Sequence, residues 1–253
     1  MSRSEDMQRD ITRIALEGAD NNGFALAGSG AIREHGLIAR PTADVDLFTV
    51  MSAQEKFSGA VDEMLQRLRA AGYTVQVDQR SDAFARLEVS ARGLETSIDL
   101  GIDWRSREPV QLEVGPVLAV EDAVANKVAA LYSRAEARDY LDVDAIRSSG
   151  RYSDAQLIAL GENADPGFDR SMFAERLEMS EHLQPREVSI YGVSPQALDE
   201  IKGRSQKWAR TVRNERTQKA VREKVQKNLQ ERKGQQLPRD PGIDPPSRSG
   251  PKL

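Results

Sequence analysis

The sequence contains no cysteine. That excludes disulfides, thiolate metal sites and cysteine nucleophiles, and it suits a reducing compartment. Histidine is scarce, with only His35 and His182, too few for a zinc site built from histidines. His35 stands beside Glu34 in a short helical stretch and is expected to be solvated. Aromatic residues make up 5% of the 253 positions, so the core is expected to be mainly aliphatic. No apolar run approaches the ~20 residues needed to cross a membrane. The opening MSRSEDMQRD lacks the apolar segment of a secretory signal. Together these absences predict a cytoplasmic protein without a membrane partner.

Charge is abundant. Asp, Glu, Lys and Arg form 30% of the chain, and the net charge of −4 conceals an asymmetry. Residues 201–236 hold twelve Lys/Arg against three Asp/Glu, and residues 237–253 three against two, which leaves 21 against 35 in residues 1–200. An acidic body with a basic arm bears on partners rather than on fold. The arm is suited to RNA phosphates. Alternatively, its thin stripe of Trp208, Val212, Val221, Val225 and Leu229 packs on the body.

The chain is organised around Phe24–Val50, FALAGSGAIREHGLIARPTADVDLFTV. It reads as strand, Gly-Ser turn, short helix, loop and second strand. Strand side chains alternate between faces, so Asp44 and Asp46 project together while Val45 and Leu47 enter a core. Two adjacent carboxylates repel, and a hard divalent cation such as Mg²⁺ relieves that repulsion. The backbone N–H groups of Gly28-Ser29-Gly30, at a helix start, suit phosphate.

The flanking elements follow from periodicity. Met7–Ala19 and Ala53–Ala71 show helical spacing, the latter with Phe57, Val61, Met64, Leu65 and Leu68 on one stripe and Ser52 as a cap. Strands are predicted at Tyr73–Gln79, Phe84–Val89 and Leu94–Ile102, the last two joined at Arg92-Gly93. In the third, Ile98, Leu100 and Ile102 face one way, while Ser97, Asp99, Gly101 and Asp103 face the other. Asp99 is therefore a candidate third carboxylate, and Asp103 is read as solvated.

Beyond Pro116 the pattern is helical: Val120–Tyr132, Arg138–Ser148, Ser153–Glu162, Phe168–Leu183 and a long helix from Pro195 to about Lys233. Lys127 lies mid-helix, and Asp139 and Asp142 share a helical face, although Asp139 is also placed to cap its helix. The Pro/Gly/Ser-rich end, from Gln235, is expected to be disordered. The reading is an α+β protein with three parts: residues 1–116 as a mixed sheet with flanking helices, 117–233 as a helical domain, and 234–253 as a tail.

GSGAIREHGLIARPTADVDLF resembles the signature of polymerase-beta-like nucleotidyltransferases, a Gly-Ser turn followed by D-x-D. KVAALYSRAEARDYLD, from Lys127 to Asp142, resembles the Lys…Arg-Asp-x-x-Asp helical motif of AbiEii-type toxin nucleotidyltransferases, which include the MenT toxins. The resemblance covers residues 20–150 and implies a nucleotidyltransferase fold and activity. It implies Gly28, Ser29, Arg40 and Lys127 as contacts of an NTP, and Asp44, Asp46 and Asp99 as metal ligands. Asp99 is the carboxylate placed to activate an acceptor hydroxyl. Asp139 or Asp142 closes the site from the helical side. Mg²⁺ is the implied cofactor, the 3′ end of tRNA the implied acceptor, and a cognate antitoxin the implied partner. Two rival readings remain open: transfer to a protein hydroxyl or small molecule, and a non-catalytic module binding nucleotide or RNA through the basic arm.

Overall fold

Amphipathic periodicity determines which faces meet. In the computed structural model, which describes residues 3–18 and 22–234 with side chains to 214 and at 226, helix α1 (Arg3–Leu16) buries Met7, Ile11, Ala15 and Leu16. Helix α3 (Gln54–Ala70) buries Phe57, Val61, Met64, Leu65 and Leu68. Each such side chain contributes roughly 1.5–3 kcal/mol when removed from water. Both helices cover one face of a seven-stranded sheet.

The strands are β1 (Ala25–Leu26), β2 (Asp44–Thr49), β3 (Thr74–Arg80), β4 (Phe84–Ala91), β5 (Leu94–Ile102), β6 (Val110–Leu112) and β7 (Gly115–Val117). Their order is β3-β4-β5-β2-β1-β7-β6. β3, β4 and β5 form an antiparallel meander, β2 runs parallel to β5, and β1 pairs antiparallel with β2 and parallel with β7. Val45, Leu47, Leu87, Ile98 and Leu100 are buried on the face toward α1 and α3. The alternate residues of β2 and β5 form the opposite face; helix α2 (Gly28–Glu34) packs beside β2 and meets α1 through the Arg9–Glu34 ion pair.

The remaining helices are α4 (Val120–Ser133), α5 (Ala137–Ser148), α6 (Asp154–Ala164), α7 (Arg170–Glu178), α8 (Pro185–Val188) and α9 (Pro195–Gly234). α4 packs on α2, α5 and α6. Ser153 caps α6 through a capping box with Gln156, as its sequence predicts.

Several expectations are revised. The predicted Phe168–Leu183 helix is broken: Asp169 caps α7, which ends at Glu178, and a 3-10 turn follows over Met179–His182. Met172 and Met179, apolar residues within that span, are each 45% exposed. Ser52 is not the cap of α3; a 3-10 turn spans Met51–Ala53, and α3 starts at Gln54. His35 is not merely solvated, because its Nε2 lies 2.7 Å from the Leu118 carbonyl. β6, β7 and α8, each four residues or fewer, were too short for periodicity to reveal.

The chain divides into two compact units, Met1–Val212 and Arg213–Leu253. The anticipated boundary at 116/117 falls inside β7, within the first unit. That unit also includes the start of α9, where Leu198, Ile201, Trp208, Ala209 and Val212 are buried. Of the apolar stripe proposed for the basic arm, Trp208 and Val212 are therefore core. The side chains of Val221, Val225 and Leu229, and the tail from 235, lie outside the described residues.

Candidate active site

The parallel register of β2 and β5 sets Asp44 opposite Ser97 and Asp46 opposite Asp99. All four sit on the face away from α1 and α3. A buried polar network fixes the entry to β2: Gln8 donates to the Thr42 carbonyl at 2.9 Å, Arg33 donates to Thr42 Oγ1 at 3.0 Å, and Thr96 Oγ1 donates to the Ala43 carbonyl at 3.0 Å. Arg33 thus serves this support rather than the site, and its burial lowers its pKa.

Above the acids lies the Gly28 turn. Gly28 has φ +54, and a Cβ there would run into the Asp46 carboxylate. Only glycine permits this close approach of turn and acid. No hydrogen bond or ion pair reaches the Asp46 carboxylate among the described residues. Its pKa is pushed up to about 6, first by burial and next by the charge of Asp44, with Asp99 adding to the rise. Lys127 and Arg138 pull in the opposite direction. Arg138 Nη1 is 3.8 Å from Asp44 Oδ2.

The helical side supplies a buried charge cluster centred on Asp142, which has no exposed surface. Arg40 engages it as a fork, Nε to Oδ1 at 2.6 Å and Nη2 to Oδ2 at 2.8 Å. Lys127 Nζ lies 2.8 Å from Oδ2. Ser29 Oγ is shared by the whole cluster: it accepts from Lys127 and from Arg40, each at 2.8 Å, and is 3.2 Å from Asp142 Oδ2. Burial alone would raise the Asp142 pKa, but the Arg40 hydrogen bond and the Lys127 and Arg40 charges outweigh it and hold Asp142 below the usual carboxylate range. The Arg40 guanidinium also stacks on the Tyr191 ring, 4.8 Å from its centroid.

Asp139 takes another part. It completes the capping box of α5 by accepting from the Glu136 N–H, and it accepts both arms of Arg134 at 2.9 Å. It is fully buried and does not join the Ser29 cluster. Of the two acids that the sequence left open, Asp142 reaches Ser29, Arg40 and Lys127, and Asp139 holds the helix start.

Asp99 is also engaged. Arg86, directly across from it on β4, grips both carboxylate oxygens at 2.6 Å. Among the described residues no set of three or more His, Asp or Glu side chains converges to hold a metal. The expected three-acid cluster is thus not assembled: Asp44 and Asp46 form the pair, and Arg86 neutralises Asp99. The donor chemistry of that pair fits a hard cation, because Asp46 is an unpartnered acid beside a second acid. Asp103, read as solvated, is exposed and bonds the Trp104 N–H and Asn126.

A family model described as "Nucleotidyl transferase AbiEii toxin, Type IV TA system" matches residues 10–227. The chain belongs to the AbiEii nucleotidyltransferase toxin family. Solved structures agree on the fold. MenT4, a nucleotidyltransferase toxin from Mycobacterium tuberculosis, is 20% identical, covering 83% of this chain and 90% of its own, with a TM-score of 0.54. JHP933 from Helicobacter pylori is 19% identical over 89% and 99%, with a TM-score of 0.52. A putative nucleotidyltransferase from H. pylori is 15% identical over 85% and 97%, with a TM-score of 0.53. No match is found among curated proteins.

In this AbiEii nucleotidyltransferase the structure therefore brings Gly28, Ser29, Arg40, Asp44, Asp46, Lys127 and Asp142 to one place. Sequence reasoning missed Arg86 and Tyr191; Arg138, the arginine of the Lys…Arg-Asp-x-x-Asp motif, is the one that approaches Asp44. Arg86 had a usable signal: counting outward from the Arg92-Gly93 turn sets it opposite Asp99. Tyr191 had none, since it follows a helix of four residues.

Proposed function

We propose that this AbiEii nucleotidyltransferase transfers a nucleoside monophosphate from an NTP to the 3′ end of tRNA in the presence of Mg²⁺, as the toxin of a toxin–antitoxin pair. The observation that supports the reading best is the unpartnered Asp46 beside Asp44, beneath the Gly28 turn and facing the buried Lys127. Asp44 and Asp46 are the residues suited to hold Mg²⁺, which would neutralise the carboxylates and the NTP phosphates together. Ser29, Lys127 and Arg40 offer donors to the triphosphate, and Asp142 positions the last two. In the reaction the acceptor hydroxyl oxygen bonds to the α-phosphorus. The bond from phosphorus to the bridging oxygen breaks, pyrophosphate leaves with that electron pair, and the hydroxyl proton passes to solvent water. Catalysis of this kind is mostly alignment and charge neutralisation.

The test is incubation of purified protein with each labelled NTP, Mg²⁺, total tRNA and a protein extract. Label on the 3′ end of tRNA, absent for Asp46→Ala, is the expected result. Label on protein alone moves the acceptor to a protein hydroxyl. No label with any NTP, while RNA binding survives both Asp44→Ala and Asp46→Ala, assigns a binding module instead. Expression of the wild type should arrest growth, and a cognate antitoxin should restore it.

A further inference from the structure

The two flanks of the acid pair differ in what they offer. On the β1 side, Lys127, Arg40 and Ser29 are already joined around Asp142. On the β5–β4 side there is one fork, Arg86 on Asp99, and it is the more accessible of the two arginine forks: the Arg86 side chain is 38% exposed against 9% for Arg40. Cross-strand pairing puts Phe84 opposite Gly101 and Phe48 beside it in β2. Both rings are half-buried, and both lie within 4 Å of the position a Gly101 Cβ would occupy. Gly101 therefore leaves two aromatic side chains flanking open backbone on the same sheet face as Asp99.

This arrangement is over-specified for a structural ion pair. A carboxylate and an arginine directly opposite on neighbouring strands stabilise a sheet by only ~0.2–1 kcal/mol. Its position is more informative. The pair occupies the third acid of the face, next to Asp46 in register. While the fork is closed, Asp99 has both oxygens committed. A guanidinium fork binds phosphate as well as carboxylate, in the same two-pronged geometry.

We propose that Arg86 is the ligand for a backbone phosphate of the acceptor RNA, and that it exchanges its grip on Asp99 for that phosphate, so that Asp99 is released toward the acid pair only when an acceptor is present. The proposal rests on the reading of an RNA acceptor given above. In the acceptor-free protein Arg86 neutralises Asp99. On binding, the phosphate takes over the fork, and the rings of Phe48 and Phe84 lie on the side where the terminal bases arrive. Flat rings stack on bases of any identity. The exchange ties the third carboxylate to occupancy of the acceptor subsite, which disfavours transfer to water.

The experiment uses the full chain. Binding is measured by fluorescence anisotropy with a tRNA ending in a 3′-deoxynucleotide, which cannot react, over a range of salt. Transfer is measured in parallel with reactive tRNA. Arg86→Gln should weaken binding about tenfold or more, and the slope of log Kd against log salt should fall by about one phosphate contact. It should raise KM for tRNA while leaving KM for the NTP within about twofold. Arg86→Lys, which keeps the charge and loses the fork, should recover the salt slope and only part of the affinity. Arg80→Gln serves as the control, because Arg80, at the end of the outer strand β3, binds Asp62 and Ser58 of α3. It should change none of these values. A thermal melt of each variant separates misfolding from lost contact. Unchanged affinity and slope in a folded Arg86→Gln protein overturn the proposal even when the wild type labels tRNA. If the wild type neither binds nor labels RNA, the acceptor reading itself has failed, and the proposal falls with it.

Discussion

Asp46, half-buried, and Asp142, fully buried, are two acids with opposite surroundings, and they respond oppositely to pH. Asp46 binds its proton more tightly in the fold than out of it, with a pKa of about 6 against 3.8. In the metal-free protein the folded state therefore loses stability as pH rises from about 4 through 6. Asp46→Asn removes that loss. Urea unfolding should show the variant gaining on wild type up to pH 7, by as much as about 3 kcal/mol; an equal gap at pH 4 and pH 7 would contradict this account. Asp142 has the reverse shift, so its contribution is present above the unfolded carboxylate pKa and is lost as pH falls through its lower folded value. Asp142→Ala leaves Arg40 and Lys127 buried without their acid, which should cost about 3–5 kcal/mol and abolish transfer. Asp139→Ala should cost about 1–2 kcal/mol through the lost cap. Residual transfer in that variant, compared with none for Asp142→Ala at matched folding, is the measurement that separates the two roles. The helix-start role of Asp139 was readable from the sequence; that of Asp142 was not, because an i, i+3 pair shares a helical face without revealing which member meets which partner.

At the scale of the element, the turn and the strand form one device. Gly28 and Asp46 are eighteen positions apart, yet the turn backbone occupies the space that any Cβ at 28 would need. Gly28→Ala is thus expected to displace the Asp46 carboxylate. Circular dichroism should remain near that of the wild type, while the transfer rate falls at least about a hundredfold, since displacements of about 1 Å cost that much. Wild-type transfer by that variant would show that the fit is not needed. Much of this element was legible beforehand. The order of strand, Gly-Ser turn, helix and D-x-D strand came from alternation and turn chemistry, and the β4–β5 hairpin from one Arg-Gly turn. The charge partners were not, because Arg40, Lys127 and Asp142 meet across separations of 87 and 102 residues that no local pattern encodes.

For the whole molecule, the informative question is where the chain can be cut. The sequence drew the line of the basic arm at 201, by charge. Packing draws it after Val212. Trp208 stands edge-on to Phe173 at 5.1 Å, beneath the Arg147 guanidinium, and is 2% exposed. Removing 213–253 should leave the melting temperature of the first unit within a few degrees. Removing 201–253 should unfold the helical half, because it empties a site where loss of a Trp alone costs about 3–5 kcal/mol. Equal melting of the two truncations would refute the assignment. A charge count locates a folding boundary poorly here, since residues 201–212 interleave exposed Lys207 and Arg210 with buried Ile201, Trp208, Ala209 and Val212.

The seating of Trp208 also has a consequence in time. Lys127 and Asp142 stand on helices whose core is closed by a residue more than sixty positions later. At a synthesis rate of about 5–20 residues per second, a chain takes roughly 10–40 s to reach that point. Until then the ribosome carries a Gly-Ser turn and an acid pair without a settled opposite wall. Chains arrested before residue 198 should show no nucleotide transfer, and chains extended well past 212 should.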